Sequence, residues 1–379
     1  MYIPRIILER IKKRISPNKV VVLFGARRVG KTKLLKSLAK EYMPAELLFL
    51  NGEDQLVVSQ LSNRNIANYE SLLRSIKYLI IDEAQHVPEI GLILKLMVDE
   101  IDGLHIVVTG SSVFDLGNKL GEPLVGRQIN FQLFPISQME LSPFENSIET
   151  QSRIEERLIY GGYPELFQLA TFEEKQEYLE GIVNSYLLKD ILVYNGIKKA
   201  DKLVDLLRLV AMQIGNEVSI DELASNLKGI SRNTVETYLD LLEKVFVIYK
   251  VRGFSKNLRK EIVKTSRYYF YDNGVRNALI RNFNTFKYRM DIGQLWENYL
   301  MIERKKRNHY LNRRINMYFW RTYDQQEIDL IEDDAGMLSS FEFKWNPKKI
   351  SKAPKAWARG YPDASFEVVN RDNFMQFVT

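Results

Sequence analysis

A glycine-containing loop between an apolar run and a helical segment limits the folds that this chain can adopt. Residues 19–24, KVVVLF, form a continuous run rich in β-branched residues, which is typical of a buried parallel strand. The loop GARRVGKT (25–32) follows at once, and KLLKSLAKEY (33–42) continues with helical spacing. This order predicts a loop whose backbone N–H groups surround phosphate oxygens at the positive end of a helix.

The residue types in this loop predict how a nucleoside triphosphate is held. Lys31 is expected to neutralise the β- and γ-phosphates, and the Thr32 hydroxyl is expected to ligate Mg²⁺. We therefore expect the nucleotide to contact all of the following residues: Gly25, Ala26, Arg27, Arg28, Val29, Gly30, Lys31, Thr32 and Lys33.

A second apolar run supplies the acidic residues that hydrolysis of a triphosphate requires. KYLIIDEAQ (77–85) predicts a strand that ends at Asp82, where a carboxylate would hold the magnesium shell. Glu83 follows and is expected to polarise the attacking water. The alternative interpretation is that the acidic pair only caps a helix.

A third apolar run, LHIVVTGSS (104–112), ends in small polar residues. We expect Ser111 to hydrogen-bond the γ-phosphate or the water, with Thr109 and Ser112 as the next candidates; a simple strand-to-loop cap is the alternative. Arg127 precedes another apolar strand, so we expect it on the same sheet edge. There it would stabilise transition-state charge within its own subunit or in a neighbouring one, unless it forms a surface salt bridge.

The middle of the chain predicts helices followed by a helix–turn–helix. Residues from about 150 to 215 have helical periodicity, interrupted by GGYPELF (161–167). From Val218 onward, two capped helices, a strand and the basic segment 252–267 follow in the order of a winged helix. Contact with another domain is the alternative to DNA contact. DNA contacts are expected from Arg232, Asn233, Thr234, Thr237, Lys256 and Arg259.

The last hundred residues contain a second acidic pattern. A predicted helix carries Glu297, the strand EIDLIED carries Asp329, and the strand SFEFKW carries Glu342 and Lys344 on one face. Carboxylates in this arrangement predict a magnesium site that activates water, with Lys344 positioning that water. Such a site cleaves phosphodiester bonds. The alternative interpretation is an internal ion pair between half-buried strands.

Composition excludes several other kinds of site. The chain has no cysteine, which excludes disulfides, zinc ribbons and thiol catalysis, and its three histidines argue against a histidine metal cluster. No stretch approaches the roughly 18 uncharged apolar residues of a membrane span. Near the N-terminus, Arg5 and Glu9 interrupt the apolar residues, which indicates an amphipathic helix and, we expect, a cytoplasmic protein. The net charge of +6 permits nucleic-acid binding without demonstrating it.

These segments together resemble a known family, the prokaryotic AAA-type ATPases with a C-terminal domain of unknown function related to restriction endonucleases. The resemblance covers nearly the whole chain. It implies ATP binding at Lys31 and Thr32, magnesium binding and hydrolysis at Asp82 and Glu83, and a winged-helix linker domain. The segments that carry it are, in order, GARRVGKT, IIDEAQ, VVTGSS, LVGR, GGYPE, YFYDNG, LWENY, YFWRT, EIDLI and FEFKW.

The sequence therefore predicts an α/β protein in four parts. These are a P-loop AAA-type domain with a parallel sheet (1–145), a helical lid or linker module (146–215), a winged helix (216–275) and an α/β restriction-endonuclease-like domain (276–379). ATP and Mg²⁺ are the expected ligands, ATP hydrolysis the expected reaction, and DNA the expected partner. The alternative is an ATP-dependent switch that assembles with a protein partner or with its own copies, the nuclease-like domain being inactive.

Overall fold

The computed structural model describes residues 3–110, 124–187, 199–255, 266–349 and 351–379, with the side chains of 185–187 left out. Four residues named above, Ser111, Ser112, Lys256 and Arg259, lie outside these ranges. The chain forms two compact units. One contains residues 2–134 and 244–246, and the other contains 135–243 and 247–379.

The first unit is built on a five-stranded parallel sheet in the order β2-β3-β4-β1-β5. The burial of β1 and β4 is almost complete, as their β-branched residues predict. Because all strands are parallel, their carboxyl ends lie at one edge of the sheet, with β4 between β1 and β3. The strands are β1 (Val20–Phe24), β2 (Leu47–Asn51), β3 (Tyr78–Asp82), β4 (His105–Gly110) and β5 (Gln128–Gln132).

Two helices of the first unit, α3 and α4, begin at polar side-chain caps, and α2 begins at the loop residue Gly30. Asp54 and Asn65 each accept a hydrogen bond from the backbone N–H two residues further on, which satisfies a donor that the helix itself leaves unpaired. The most buried helix is α5, whose apolar side chains Ile93 and Met97 are inaccessible to solvent. The helices are α1 (Ile7–Lys12), α2 (Lys31–Ala39), α3 (Gln55–Ser62), α4 (Ile66–Leu72) and α5 (Ile90–Glu100).

The second unit contains a seven-stranded mixed sheet in the order β12-β11-β10-β9-β7-β8-β6. Its pairs are antiparallel except β7–β9 and β11–β12. The strands are β6 (Glu217–Val218), β7 (Ile248–Gly253), β8 (Ser266–Phe270), β9 (Asn316–Arg321), β10 (Glu327–Asp334), β11 (Met337–Phe343) and β12 (Ser365–Val369). The predicted domain boundaries stay a prediction, and this sheet continues across the one at residue 275.

The helices of the second unit include α13, which buries Trp296 completely. Reciprocal caps such as Asn146 with Glu149 open several of the others. The helices are α6 (Gln138–Leu141), α7 (Ser147–Tyr160), α8 (Phe172–Gly181), α9 (Ala200–Met212), α10 (Ile220–Leu227), α11 (Arg232–Lys244), α12 (Asn273–Leu279), α13 (Ile292–Tyr310), α14 (Lys355–Gly360) and α15 (Phe374–Val378). Within the described ranges, every helix is too short or too polar to cross a membrane.

A close backbone junction joins the end of α7 to the start of α12. Gly161 ends α7 with a φ of 79°, and the next residue, Gly162, donates its N–H to Asp272 Oδ2 at 2.7 Å. Asp272 also caps α12. A Cβ at Gly274 would lie 2.0 Å from the carbonyl oxygen of Tyr160. The segments GGYPE and YFYDNG therefore meet at a contact that only glycine permits.

We expect Gly274→Ala to destabilise the protein by about 3 kcal/mol, because the new methyl group overlaps backbone that has no room to move. Gly293→Ala is the matched control, since Gly293 lies in α13 with no atom within 4 Å of the added carbon. That helical substitution should be neutral or should stabilise by roughly 0.5 kcal/mol. Urea unfolding of both variants measures the difference, and equal losses would contradict this account of the junction.

Candidate functional site

The backbone conformation of the loop between β1 and α2 depends on its two glycines, Gly25 and Gly30. A Cβ at Gly25 would lie 2.4 Å from the carbonyl oxygen of Leu133, so the residue after β1 cannot carry a side chain. Gly30 has a φ of 99°, in the left-handed region, and forms the N-cap of α2. The backbone therefore needs glycine at these positions, which explains both glycines of the sequence pattern.

Lys31 lies within this loop. The residue is buried, and its Nζ donates to the carbonyl oxygens of Gly25 at 2.9 Å and Ala26 at 3.2 Å. The ammonium group is thus held against the loop backbone at the amino end of α2. Thr32 and Lys33, the next two residues of the helix, are exposed to solvent.

Arg5 also contacts the loop, and sequence analysis did not identify it as a site residue. Its guanidinium is buried and donates to the carbonyl oxygen of Val29 at 2.8 Å and to that of Phe134 at 2.6 Å. The arginine therefore connects the loop to the segment that follows β5. The only signal in the sequence was a single cation inside an apolar stretch.

Asp82, Glu83 and Thr109 are connected at the carboxyl ends of β3 and β4. The Thr109 hydroxyl donates to Asp82 Oδ1 at 2.5 Å and accepts from the Glu83 backbone N–H at 3.0 Å. Asp82 and Thr109 are buried, whereas Glu83 is half-buried, with a φ of 49°. Glu83 Oε2 accepts from the Gln85 side chain at 2.6 Å. Thr109, an alternative to Ser111 in the sequence, is therefore the residue of β4 that orients the acidic pair.

Arg127 lies at the opposite edge of the sheet from Lys31, which corrects its predicted placement. Its carbonyl oxygen accepts from Val20 N–H, at the start of β1, at 2.8 Å. The phosphate-binding loop follows the end of that strand, whereas a residue that precedes a parallel strand lies at the amino edge. The Arg127 guanidinium pairs with Asp99 at 2.8 Å, as the alternative interpretation proposed. From this position Arg127 cannot stabilise transition-state charge in its own subunit. That it does so in a neighbouring subunit stays a prediction.

The N-terminal third of the chain matches a known protein family. Residues 17–142 match the model of a family described as AAA domain. This segment is therefore similar to AAA domains. Residues 151–285 and 292–377 match two further models, described as Domain of unknown function (DUF8612) and Domain of unknown function (DUF4143). The AAA part of the resemblance is confirmed.

Several curated proteins are similar to most of the chain, and each is described only as uncharacterized. One from Methanocaldococcus jannaschii is 23% identical over 383 residues, covering 97% of this chain and 84% of its own length. One from Haemophilus influenzae is 27% identical over 296 residues, covering 72% of each. One from Mycobacterium tuberculosis is 24% identical over 339 residues, covering 88% of this chain and 72% of its own length.

Two solved structures give weaker matches. A signal transduction ATPase with numerous domains (STAND) and a tetratricopeptide repeat sensor, from Pyrococcus horikoshii, is 13% identical with a TM-score of 0.31. The match covers 83% of this chain and 48% of that one, so the chain spans about half its length. Drosophila ORC bound to DNA is 14% identical with a TM-score of 0.24, covering 74% of this chain and 95% of that one. Scores this low carry no argument about function.

Outside residues 17–142, the arginine at the start of the predicted DNA-contact helix α11 is paired with two acids. Arg232 is exposed but pairs with Asp221 at 3.0 Å and with Glu236 at 3.1 Å. Residues 220–240 contain four acids and two bases. The other predicted contacts on this helix are Asn233 and Thr237, which are exposed, and Thr234, which is partly buried. Among the described residues of α11 that would approach DNA, the positive charge of Arg232 is thus largely neutralised.

The second acidic pattern gathers around Arg267, which the sequence grouped with the basic segment 252–267. Arg267 lies on β8 and is buried, with Nη1 at 3.4 Å from Glu297 Oε1 and 3.9 Å from Asp329 Oδ1. Its Nη2 is 2.9 Å from Glu327 Oε2. The guanidinium carbon lies 4.6 Å from the centre of the Phe319 ring. Arg267 is therefore an internal cation and not part of a DNA-facing surface.

Glu297 and Asp329 accept further hydrogen bonds within this cluster. The Tyr269 hydroxyl donates to Glu297 Oε1 at 2.7 Å, and the Phe343 N–H donates to Asp329 Oδ2 at 2.7 Å. Burial raises the pKa of the Glu297 carboxyl, and burial together with the neighbouring carboxylates raises the pKa of Asp329 well above its usual range. The carboxyl groups are thus crowded enough to repel one another.

The donor set does not fit the metal ion that the predicted nuclease site requires. Among the described residues, no group of three or more Asp, Glu or His side chains is arranged to hold a metal. Lys344 Nζ donates to Glu342 Oε1 at 2.5 Å, and Arg267 lies among the other carboxylates. The metal site of Glu297, Asp329, Glu342 and Lys344 therefore stays a prediction. The internal ion pair, the alternative interpretation, is what these residues form.

Proposed function

We propose that this chain is a Mg²⁺-dependent ATPase whose site is the loop Gly25–Thr32 together with Asp82 and Glu83. The observation that supports it most is the hydrogen-bonded link of Asp82, Thr109 and Glu83 in an AAA domain. Thr109 fixes the Asp82 carboxylate by donating to one oxygen, which leaves the other oxygen for the magnesium shell. The loop supplies backbone N–H groups and the Lys31 ammonium group for the phosphates.

The spacing of the strands suits a triphosphate. One strand, β4, separates β1 from β3, and neighbouring strands lie about 4.8 Å apart, so the loop and Asp82 are on the order of 10 Å apart. That distance matches a nucleotide whose phosphates lie in the loop and whose Mg²⁺, with Thr32 as a second ligand, offsets the charge that develops during hydrolysis. Glu83 follows Asp82 directly and would polarise the water that attacks the γ-phosphate.

The nucleotide state of this site would control the activity of the rest of the chain. We infer that residues 135–379 provide the output, either by binding or processing DNA through a winged helix or by docking a protein partner. The helix order α9, α10, α11 and the antiparallel order β7-β8-β6 support a winged helix. The pairing of Arg232 with acids and the internal position of Arg267 favour the protein partner.

A hydrolysis assay with and without duplex DNA tests this choice. We expect ATP hydrolysis that DNA does not stimulate, together with weak DNA binding even at low salt, because the described recognition face offers few free cations. Arg232→Ala should leave any residual DNA affinity within about twofold, since its charge is already neutralised. A steep fall in DNA affinity with rising salt, together with hydrolysis that DNA stimulates, would favour the DNA-acting alternative instead.

A further inference from the structure

The acidic cluster of the second unit contains its own cations, and this has a consequence for its chemistry. Four carboxylates, those of Glu297, Glu327, Asp329 and Glu342, lie with the cations Arg267 and Lys344. We propose that Arg267 takes the place of the divalent cation, so that the cluster is a metal-free ion-pair core and this sheet does not cleave phosphodiester bonds. The proposal does not depend on the function proposed for the AAA domain.

The first argument is that one oxygen of Glu297 and one of Asp329 already accept hydrogen bonds within the cluster. Glu297 Oε1 accepts from the Tyr269 hydroxyl at 2.7 Å and lies 3.4 Å from Arg267 Nη1. Asp329 Oδ2 accepts from the Phe343 N–H at 2.7 Å, and Asp329 Oδ1 faces Arg267 at 3.9 Å. Mg²⁺ needs oxygens at about 2.1 Å in near-octahedral order. Coordination by those oxygens would therefore break hydrogen bonds donated from two different strands, β8 and β11.

The second argument is the nature of the arginine. A guanidinium carries only donors and stays charged at every accessible pH, so it can neither ligate a metal nor lose its charge to admit one. Arg267 is 3% exposed and stacks on the Phe319 ring, which leaves no route for the side chain to swing into solvent without repacking. Displacing it would leave a buried charge without a partner.

The third argument is position. Arg267 is on β8, whereas its partners come from β10 and from α13, and the ring that it covers comes from β9. The cluster thus joins the strand of the predicted winged helix to the strands of the predicted nuclease-like domain. In this account the carboxylates serve to hold elements together, which is a structural use of the residues that a nuclease uses for catalysis.

The decisive experiment compares Mn²⁺ binding by the full-length wild-type chain and by Asp329→Asn, both free of nucleotide, using the resonance signal of free Mn²⁺. We expect the two binding curves to coincide up to millimolar Mn²⁺, and we expect no nicking of supercoiled plasmid above the Asp329→Asn background. One additional saturable Mn²⁺ in the wild type, absent from Asp329→Asn, would overturn the proposal. If Asp329→Asn does not fold, Glu342→Gln takes its place in the same comparison.

A second measurement tests the role of the arginine itself. Arg267→Met leaves buried carboxylates without their cation and should lower the Tm by roughly 10 °C. The matched control is Arg321→Met on β9, whose guanidinium pairs with Glu217 at 3.1 Å but is a third exposed, and which should change the Tm by only about 2 °C. Equal shifts for the two variants would mean that Arg267 does not balance the cluster, and the proposal would fail.

Discussion

Replacing Lys31 with alanine is expected to weaken ATP binding by at least about 100-fold and to remove hydrolysis. The ammonium group is buried and held against the loop by Gly25 and Ala26, so it is already in place when phosphate oxygens enter. A charge-assisted contact of this kind contributes about 3 kcal/mol, which is the energy equivalent of that loss. Titration calorimetry with ATP and Mg²⁺ measures the affinity directly.

The control for this substitution is Lys36→Ala. Lys36 is on the same helix, α2, but its side chain is exposed to solvent. We expect this variant to bind ATP within about twofold of the wild type, because screened surface charges contribute little. If both variants lost affinity equally, the general charge of the helix and not the loop contact would explain binding. If neither lost affinity, the assignment of the nucleotide site would be wrong.

Replacing Glu83 with glutamine is expected to slow hydrolysis by on the order of 100-fold or more while ATP affinity stays unchanged. The substitution keeps the shape of the side chain but removes the carboxylate that polarises water, and such groups contribute about 10²- to 10⁴-fold. The backbone contact from Glu83 N–H to Thr109 should persist, because it does not involve the side chain. A phosphate-release assay at saturating ATP gives the rate.

Two companion variants make this result specific. Thr109→Val removes the hydroxyl that donates to Asp82, and we expect a smaller loss of hydrolysis, roughly tenfold, because it only orients the carboxylate. Glu89→Gln is the control, since Glu89 is an exposed glutamate with a φ of 50°, close to the 49° of Glu83. A rate for Glu83→Gln no lower than that of Glu89→Gln would remove Glu83 from the catalytic step.

The strands and the loop around the proposed nucleotide site could be predicted from the sequence because their signals are local. The loop from Gly25 to Thr32 and the acidic pair each follow directly on an apolar strand, and parallel pairing brings those strand ends to one edge. Arg127 was misplaced for the same geometric reason, since it precedes its strand. Arg5 could not be predicted, because its bond to Val29 connects residues 24 positions apart without any pattern between them.

The second acidic site shows a different limit of the sequence. The clustering of Glu297, Asp329 and Glu342 was predicted correctly, since strand alternation and one helix suffice to bring them together. The presence of Arg267 among them was not predicted, because this arginine comes from β8, on the far side of β7 and β9 in the sheet order. Residue spacing along the chain predicts that the carboxylates lie together. It does not predict that the Arg267 guanidinium reaches them from another part of the sheet.

The parallel pairing of β7 with β9 has a consequence for how this protein can be divided. Their register joins Arg252 to Tyr318 and Gly253 to Phe319, and Phe254 N–H donates to the Phe319 carbonyl oxygen at 2.7 Å. The two family models meet between these strands, at residues 285 and 292. Cutting the chain at that point would leave an unpaired strand edge on each fragment. Such edges promote aggregation. We therefore expect the two stretches to be inherited together. A chimera that exchanged only one of them would have to restore the pairing of β7 with β9.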